Sequence, residues 1–207
     1  FDNGAAAVKA STVNKQVTLD IAGNTTITGD GSANGITLSN GAKLQAGNNT
    51  LKMSKFKTAL TVQEGSVVGD GNYNLDGNEI GFALGNHGKF EGSARNKLNV
   101  SALESTGRGF SYTTDSRFIR CNVNVQAKNE SSEQYSGLYM LDASLTTKGV
   151  WYYFDPDNGR GGVHLDHSDF YAHKATGASA YKQVFSILGD SELKNGSTMT
   201  GDGSRIT

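Results

Sequence analysis

The side chains best able to do chemistry gather late in the chain. Between positions 139 and 169 lie Tyr139, Asp142, Trp151, Tyr153, Arg160, His164, Asp166, His167 and Asp169. Aromatic faces can stack on the apolar faces of sugar rings, and carboxylates and imidazoles can hydrogen-bond sugar hydroxyls. The cluster therefore points to a carbohydrate site. The same rings, with Tyr152 and Phe154, could instead fold back and cover the body of the protein. Earlier in the chain, Lys89 and Arg117 could clamp an acidic sugar such as a uronate or sialate. As exposed cations they could equally serve solubility alone.

Catalysis is the competing chemistry. Glycoside hydrolysis needs two carboxylates roughly 5–10 Å apart, and Asp142, Asp166 and Asp169 could supply them. Proton abstraction beside a uronate carboxylate needs a base near metal-binding carboxylates. Asp166, His167 and Asp169, with Arg160 close in sequence, could meet that need. No spacing fixes a catalytic role on any one residue, so none is assigned. The run Asp155-Pro156-Asp157-Asn158-Gly159 has the oxygen-rich look of a calcium loop. Its twelfth position is Asp166 rather than the bidentate Glu of an EF-hand, and each of its residues favours a turn for its own reason. A turn without a cofactor is the expected reading, with calcium the alternative.

Composition excludes several classes. One cysteine, Cys121, allows no internal disulfide and no zinc ribbon. Its phase with Val123 and Val125 predicts a buried, inert thiol. A formal net charge of -1 gives no global attraction to nucleic acid or to an anionic membrane. No run approaches the roughly 18 apolar residues of a membrane span. The chain reads as a piece of a longer exported protein, with targeting and anchoring segments outside it. Hydrophobic residues make up 36%, so the core must be narrow. Twenty-seven glycines against one proline imply many turns.

The elements that must carry these residues are legible from a repeat. Ile36-Thr37-Leu38 is an apolar–polar–apolar triplet, followed by the small Ala42, the large Leu44, a Gly/Asn turn, and Leu51 with Met53. The order recurs at Leu60-Thr61-Val62, Phe82-Ala83-Leu84 and Phe110-Ser111-Tyr112, with small residues at Ser66, Gly88 and Ser116. Triplets at Leu138-Tyr139-Met140, Val163-His164-Leu165 and Phe185-Ser186-Ile187 continue it, with Ser144, Ser168 and Ser191 as small residues. An opening coil starts at Leu19-Asp20-Ile21. Period-2 alternation means strand, and three short strands per 22–28 residues describe one coil of a solenoid.

The predicted fold is thus all-β: a right-handed parallel β-helix of about 7–8 coils in a single domain, 1–207. Residues 1–16 would form an N-terminal cap or lead-in, and 17–207 the coils, the last of them unfinished. Segments 101–109, 126–137, 153–162 and 172–184 would protrude as loops, with Ser101-Ala102-Leu103-Glu104 at most one helical turn. Stacking predicts two outward columns. The first runs Asp20, Thr37, Thr61, Ala83, Ser111, Tyr139, His164, Ser186. The second runs Lys43, Val67, Lys89, Arg117, Leu145, Asp169, Glu192.

The coils Ile36–Leu51, Leu60–Leu75 and Phe82–Leu98 resemble those of pectate-lyase-like right-handed β-helix proteins. Being polar, Gly/Asn-rich and cysteine-poor, they are more similar to the adhesive β-solenoid domains of Gram-positive surface proteins, of the serine-rich-repeat adhesin type. That resemblance implies a non-catalytic, secreted and cell-wall-anchored module that binds a host or matrix glycan on the solenoid flank. An acidic polysaccharide is included among the implied partners. A polysaccharide lyase or glycoside hydrolase is the alternative, and a ligand-free structural stalk a further one.

Overall fold

A computed structural model describes residues 9–10, 17–107, 109–113, 116–135, 138–154, 162–173, 185–187, 191–202 and 205–206. Short strands pair in parallel with strands one coil away, in three sheets, forming a β-solenoid of about six turns. The described residues contain no helix. This count differs slightly from the 7–8 coils expected from the sequence.

The first sheet stacks Lys9–Ala10, Ile36–Leu38, Thr58–Val62, Ile80–Leu84 and Gly109–Tyr112. Its outward column Thr37, Thr61, Ala83, Ser111 runs in register as expected. The second sheet contains Thr18–Asp20, Lys43–Gln45, Val67–Val68, Lys89–Glu91, Arg117–Ile119, Leu138–Leu141, Val163–Asp166 and Glu192–Lys194. The triplets at Leu19, Leu138 and Val163 therefore lie here and not in the first sheet. Apolar–polar–apolar alternation is common to all three sheets, so the triplet alone does not say which one it occupies.

The third sheet runs Thr25–Thr28, Thr50–Ser54, Gly71–Asn74, Leu98–Ser105, Asn122–Tyr135, Ser144–Phe154, Asp169–His173 and Thr198–Gly201. Two corrections follow from its length. Ser101–Glu104 lies within the strand Leu98–Ser105, irregular at the left-handed Glu104, and is not a helical turn, and much of the expected 126–137 loop is strand. The strand Ser144–Phe154 pairs with Asp169–His173 through its first half and with Phe185–Ile187 through its second.

Corners explain the small residues. Between the first and second sheets the chain turns through pairs of left-handed residues, Asn40-Gly41, Glu64-Gly65 and Asn86-His87. Both central residues at positive φ is the type I′ geometry. Each turn closes on the small residue, with the N–H of Ala42, Ser66 and Gly88 donating to Ser39, Gln63 and Gly85. Ala42, Ser66 and Ser116 are buried there. A Cβ on Gly88 would meet the carbonyl oxygen of Val62 at 2.1 Å, so only glycine fits this backbone path.

The core is a set of inward columns. Phe82 stacks on Phe110 at 5.1 Å between centroids and tilts against Phe90 at 5.0 Å, while Phe118 lies flat on Tyr112 at 5.4 Å. Cys121 is fully buried, as its phase predicts, and burial pushes its thiol pKa up. Asn78 is the main buried polar device. Its Oδ1 accepts from the Phe56 N–H at 2.8 Å, and its Nδ2 donates to the carbonyls of Met53 and Leu75 at 2.9 and 2.7 Å.

Candidate functional site

Parallel stacking converts sequence positions about one coil apart into neighbours about 4.8 Å apart. On the second sheet this places Lys43, Val67, Lys89, Arg117, Tyr139, His164 and Glu192 in one outward column. Tyr139 and His164 thus join Lys89 and Arg117 instead of the first-sheet column. Leu145 and Asp169 leave the column for the third sheet, where Leu145 is buried.

Two cations of this column, Lys89 and Arg117, are already engaged. Lys89 pairs with Glu91 at 2.7 Å, and Arg120 reaches the other oxygen of Glu91 at 3.0 Å. The Lys89 hydrogen bond, with the nearby charges of Lys89 and Arg120, holds the Glu91 carboxyl below its ordinary pKa despite partial burial. The Arg117 guanidinium lies 4.6 Å from the centre of the Tyr139 ring, a cation–π contact. A shallow hollow of about 380 Å³ beside these residues has mixed charge, with Lys43, Asp70, Lys89, Glu91 and Arg120 in its lining.

The carboxylates gather at the corner between the second and third sheets. Arg120, Asp142, His167 and Asn195 are stacked there in left-handed conformation, with φ between 47° and 53°. Asp142 and Asp169 converge on Arg95, which sequence reasoning missed. Arg95 sits 74 positions before Asp169, yet its Nη2 donates to Asp169 Oδ2 at 2.7 Å and its Nη1 lies 3.9 Å from Asp142. His167 Nδ1 is 3.2 Å from Asp142, and Asn195 Nδ2 donates to Asp166 at 2.5 Å. The Thr198 hydroxyl, at 2.6 Å, and then Arg95 hold the Asp169 carboxyl below the usual carboxylate range. Each of the three carboxylates is thus tied to a donor.

Trp151 and Tyr153 are placed by their backbones in the strand Ser144–Phe154, in register with Ser132 and Gln134. Arg160 and the whole 155–161 segment, including the calcium-like run, lie outside the described residues.

A larger concavity than the hollow beside Lys89 lies elsewhere, on the outer face of the third sheet. A groove of about 480 Å³ runs along the solenoid axis over five coils. Its floor is two columns. Thr50, Asn72, Asn99, Asn122 and Ser144 form one, and Asn74, Ser101, Asn124 and Thr146 the other. Every lining residue is uncharged. Alternation explains the arrangement: in Asn72-Tyr73-Asn74, Asn99-Val100-Ser101 and Asn122-Val123-Asn124 the central residue is buried and its two neighbours face out.

The first column is a ladder of side-chain hydrogen bonds. Asn99 Nδ2 donates to Asn72 Oδ1 and Asn122 Nδ2 to Asn99 Oδ1, both at 3.1 Å, and the Ser144 hydroxyl donates to Asn122 Oδ1 at 2.9 Å. Asn122 also donates to the Arg95 carbonyl at 2.9 Å, so the 93–97 segment flanks this column. In the second column, Asn124 and Thr146 make no side-chain hydrogen bond among the described residues. Tyr171, 37% exposed, follows Thr146 in register just past the groove. The sequence signal was present as the polar–apolar–polar triplets with asparagine, but their alignment becomes visible only once the coil register is known.

Compared with known protein families, curated sequences and solved structures, the chain matches none. The solenoid architecture stands on its own strand pairing.

Proposed function

We propose that this chain is a non-catalytic carbohydrate-binding module, the adhesive part of an exported, cell-wall-anchored bacterial surface protein. Its partner is a host or matrix glycan held on the solenoid flank. The observation that carries this reading is the uncharged groove on the third sheet, floored by amides and hydroxyls in coil-spaced columns. Such groups both donate and accept, as sugar hydroxyls do. The exposed Tyr171 ring at its end offers a stacking face for a sugar. The resemblance of the coils to adhesive β-solenoids points the same way. Against catalysis stands the engagement of Asp142, Asp166 and Asp169 by Arg95, His167, Asn195 and Thr198.

The test is a glycan array that includes acidic polysaccharides, probed at about pH 5 and about pH 7 to span histidine titration, with product analysis on every hit. Binding without turnover is the expected result. Turnover of a bound polysaccharide would overturn the non-catalytic reading, and silence across the array at both pH values would overturn the glycan reading altogether.

A further inference from the structure

Resting on the glycan reading, the groove itself narrows the ligand. We infer that it takes an uncharged polysaccharide in extended form, laid parallel to the solenoid axis. Charge comes first. No cation lines the groove, so a uronate, sialate or sulfated sugar would lose water there without gaining an ionic partner. The Arg95 guanidinium is turned to Asp169 and Asp142, and the exposed Lys52, in register with Asn74, stands at one end of the second column and not within the lining. The cation-bearing face of the second sheet belongs to a different side of the solenoid.

Dimensions come next. Five coils give four strand spacings, roughly 19 Å at about 4.8 Å each. One spacing is close to the length of a pyranose unit in an extended chain, so about four units would face successive rungs. The two columns are two residues apart along the strand, roughly 6.6 Å, which is about the width of one ring. A chain lying along the axis therefore meets the same pair of uncharged positions at four of the five coils, and in the fifth the partner of Thr50 is Lys52.

Preorganisation and free valence complete the argument. The Asn72–Asn99–Asn122–Ser144 ladder holds its amides in place before any ligand arrives, which reduces the ordering cost of binding. Asn124 and Thr146 keep their hydrogen-bonding groups available beside it. A protein partner is less suited to this floor, because no large apolar side chain is exposed within it. The exposed ones among the described residues are Tyr171 and Leu193, and both lie outside the groove.

The experiment is calorimetric titration of the whole chain with galactan, β-glucan and mannan, and with polygalacturonate as the acidic counterpart, at low and high salt. The expected result is binding to at least one neutral polymer with an affinity unchanged by salt. Asn124→Ala combined with Thr146→Val should weaken it about tenfold, since each removes an ordinary neutral hydrogen bond, without lowering the melting temperature. Binding to polygalacturonate alone, falling with salt, would overturn the neutral-ligand inference and leave the glycan reading standing. Neutral binding that the double variant does not weaken would overturn the assignment to this groove. Binding to no polymer, with an array hit on a charged oligosaccharide, would overturn the inference but not the reading; with a silent array, both fall.

Discussion

Asn78 offers the sharpest test of how successive coils are held together. It is 1% exposed and joins its own coil to the one before through the N–H of Phe56 and the carbonyl of Met53, while also donating to the carbonyl of Leu75 within its own coil. Asn78→Ala removes the acceptor of a buried backbone N–H and a donor shared by two carbonyls. A buried donor left unsatisfied costs about 1–3 kcal/mol, and the loss of each neutral bond to a carbonyl about 0.5–1.5 kcal/mol. Because the carbonyls have a second lone pair and partial access to other donors, a total of about 2–4 kcal/mol is expected. For a chain of this length that is a fall in melting temperature of roughly 4–16 °C. Asn78→Asp is the companion variant. It keeps an acceptor for Phe56 but turns an oxygen toward two carbonyls, so it should be no better than alanine at neutral pH. The assay is equilibrium denaturation combined with amide hydrogen exchange at Phe56. The exchange readout distinguishes loss of this bridge from general loosening, because the Phe56 N–H should lose protection before the core strands do. A destabilisation under about 1 kcal/mol with Phe56 still protected would refute the reasoning, since the bridge would then be geometry without energy.

Two further perturbations probe the core and the charged corner. Phe118→Ala deletes a fully buried ring that packs on Tyr112, Phe90 and Phe110. It should destabilise by about 3–5 kcal/mol in denaturant titration, and a loss near that of a surface substitution would mean the aromatic columns are not continuous. The depressed Asp169 carboxyl contributes stability that is present above the ordinary carboxylate pKa of 3.8 and lost as pH falls through the lower folded-state value. The melting-temperature gap between the wild type and Asp169→Asn should therefore be open at neutral pH and close as the solution is acidified below about pH 4; a gap that stays constant would remove Arg95 and Thr198 as the cause.

The inward residues made the fold legible. Ile36, Leu38, Leu44 and Leu51 announce one coil, and Leu60, Val62, Val68 and Tyr73 the next, because each inward position is buried on the same neighbours in every turn. The small residues at 42, 66, 88 and 116 were legible for the same reason: the corner leaves no room for anything larger. Register failed where that logic is degenerate. Leu138-Tyr139-Met140 would satisfy the first sheet or the second equally well, and it took the second, beside Arg117–Ile119. That single shift moved Tyr139 and His164 from a column of threonine and serine to one of lysine and arginine.

The outward residues carry a different kind of information, which explains why the groove was harder to find than the fold. Inward positions are constrained by the coil they belong to, so one coil is enough to read them. Outward positions gain meaning only from the coils on either side. Asn72, Asn99 and Asn122 are unremarkable singly, separated by 27 and 23 residues, and asparagine in a strand weakens it where nothing compensates. Stacked, each amide donates to the one before, and the ladder compensates in the solenoid for what each strand lacks alone. Arg95 shows the same principle at longer range. It belongs to a turn of one coil, yet its guanidinium is fixed by Ala143 and Asp169 on later ones. A cluster of chemically able residues close in sequence, such as 139–169, is therefore a weak guide in this architecture. Its described members are shared among two sheets and a corner, whereas the continuous uncharged surface draws one to three residues from each of five coils.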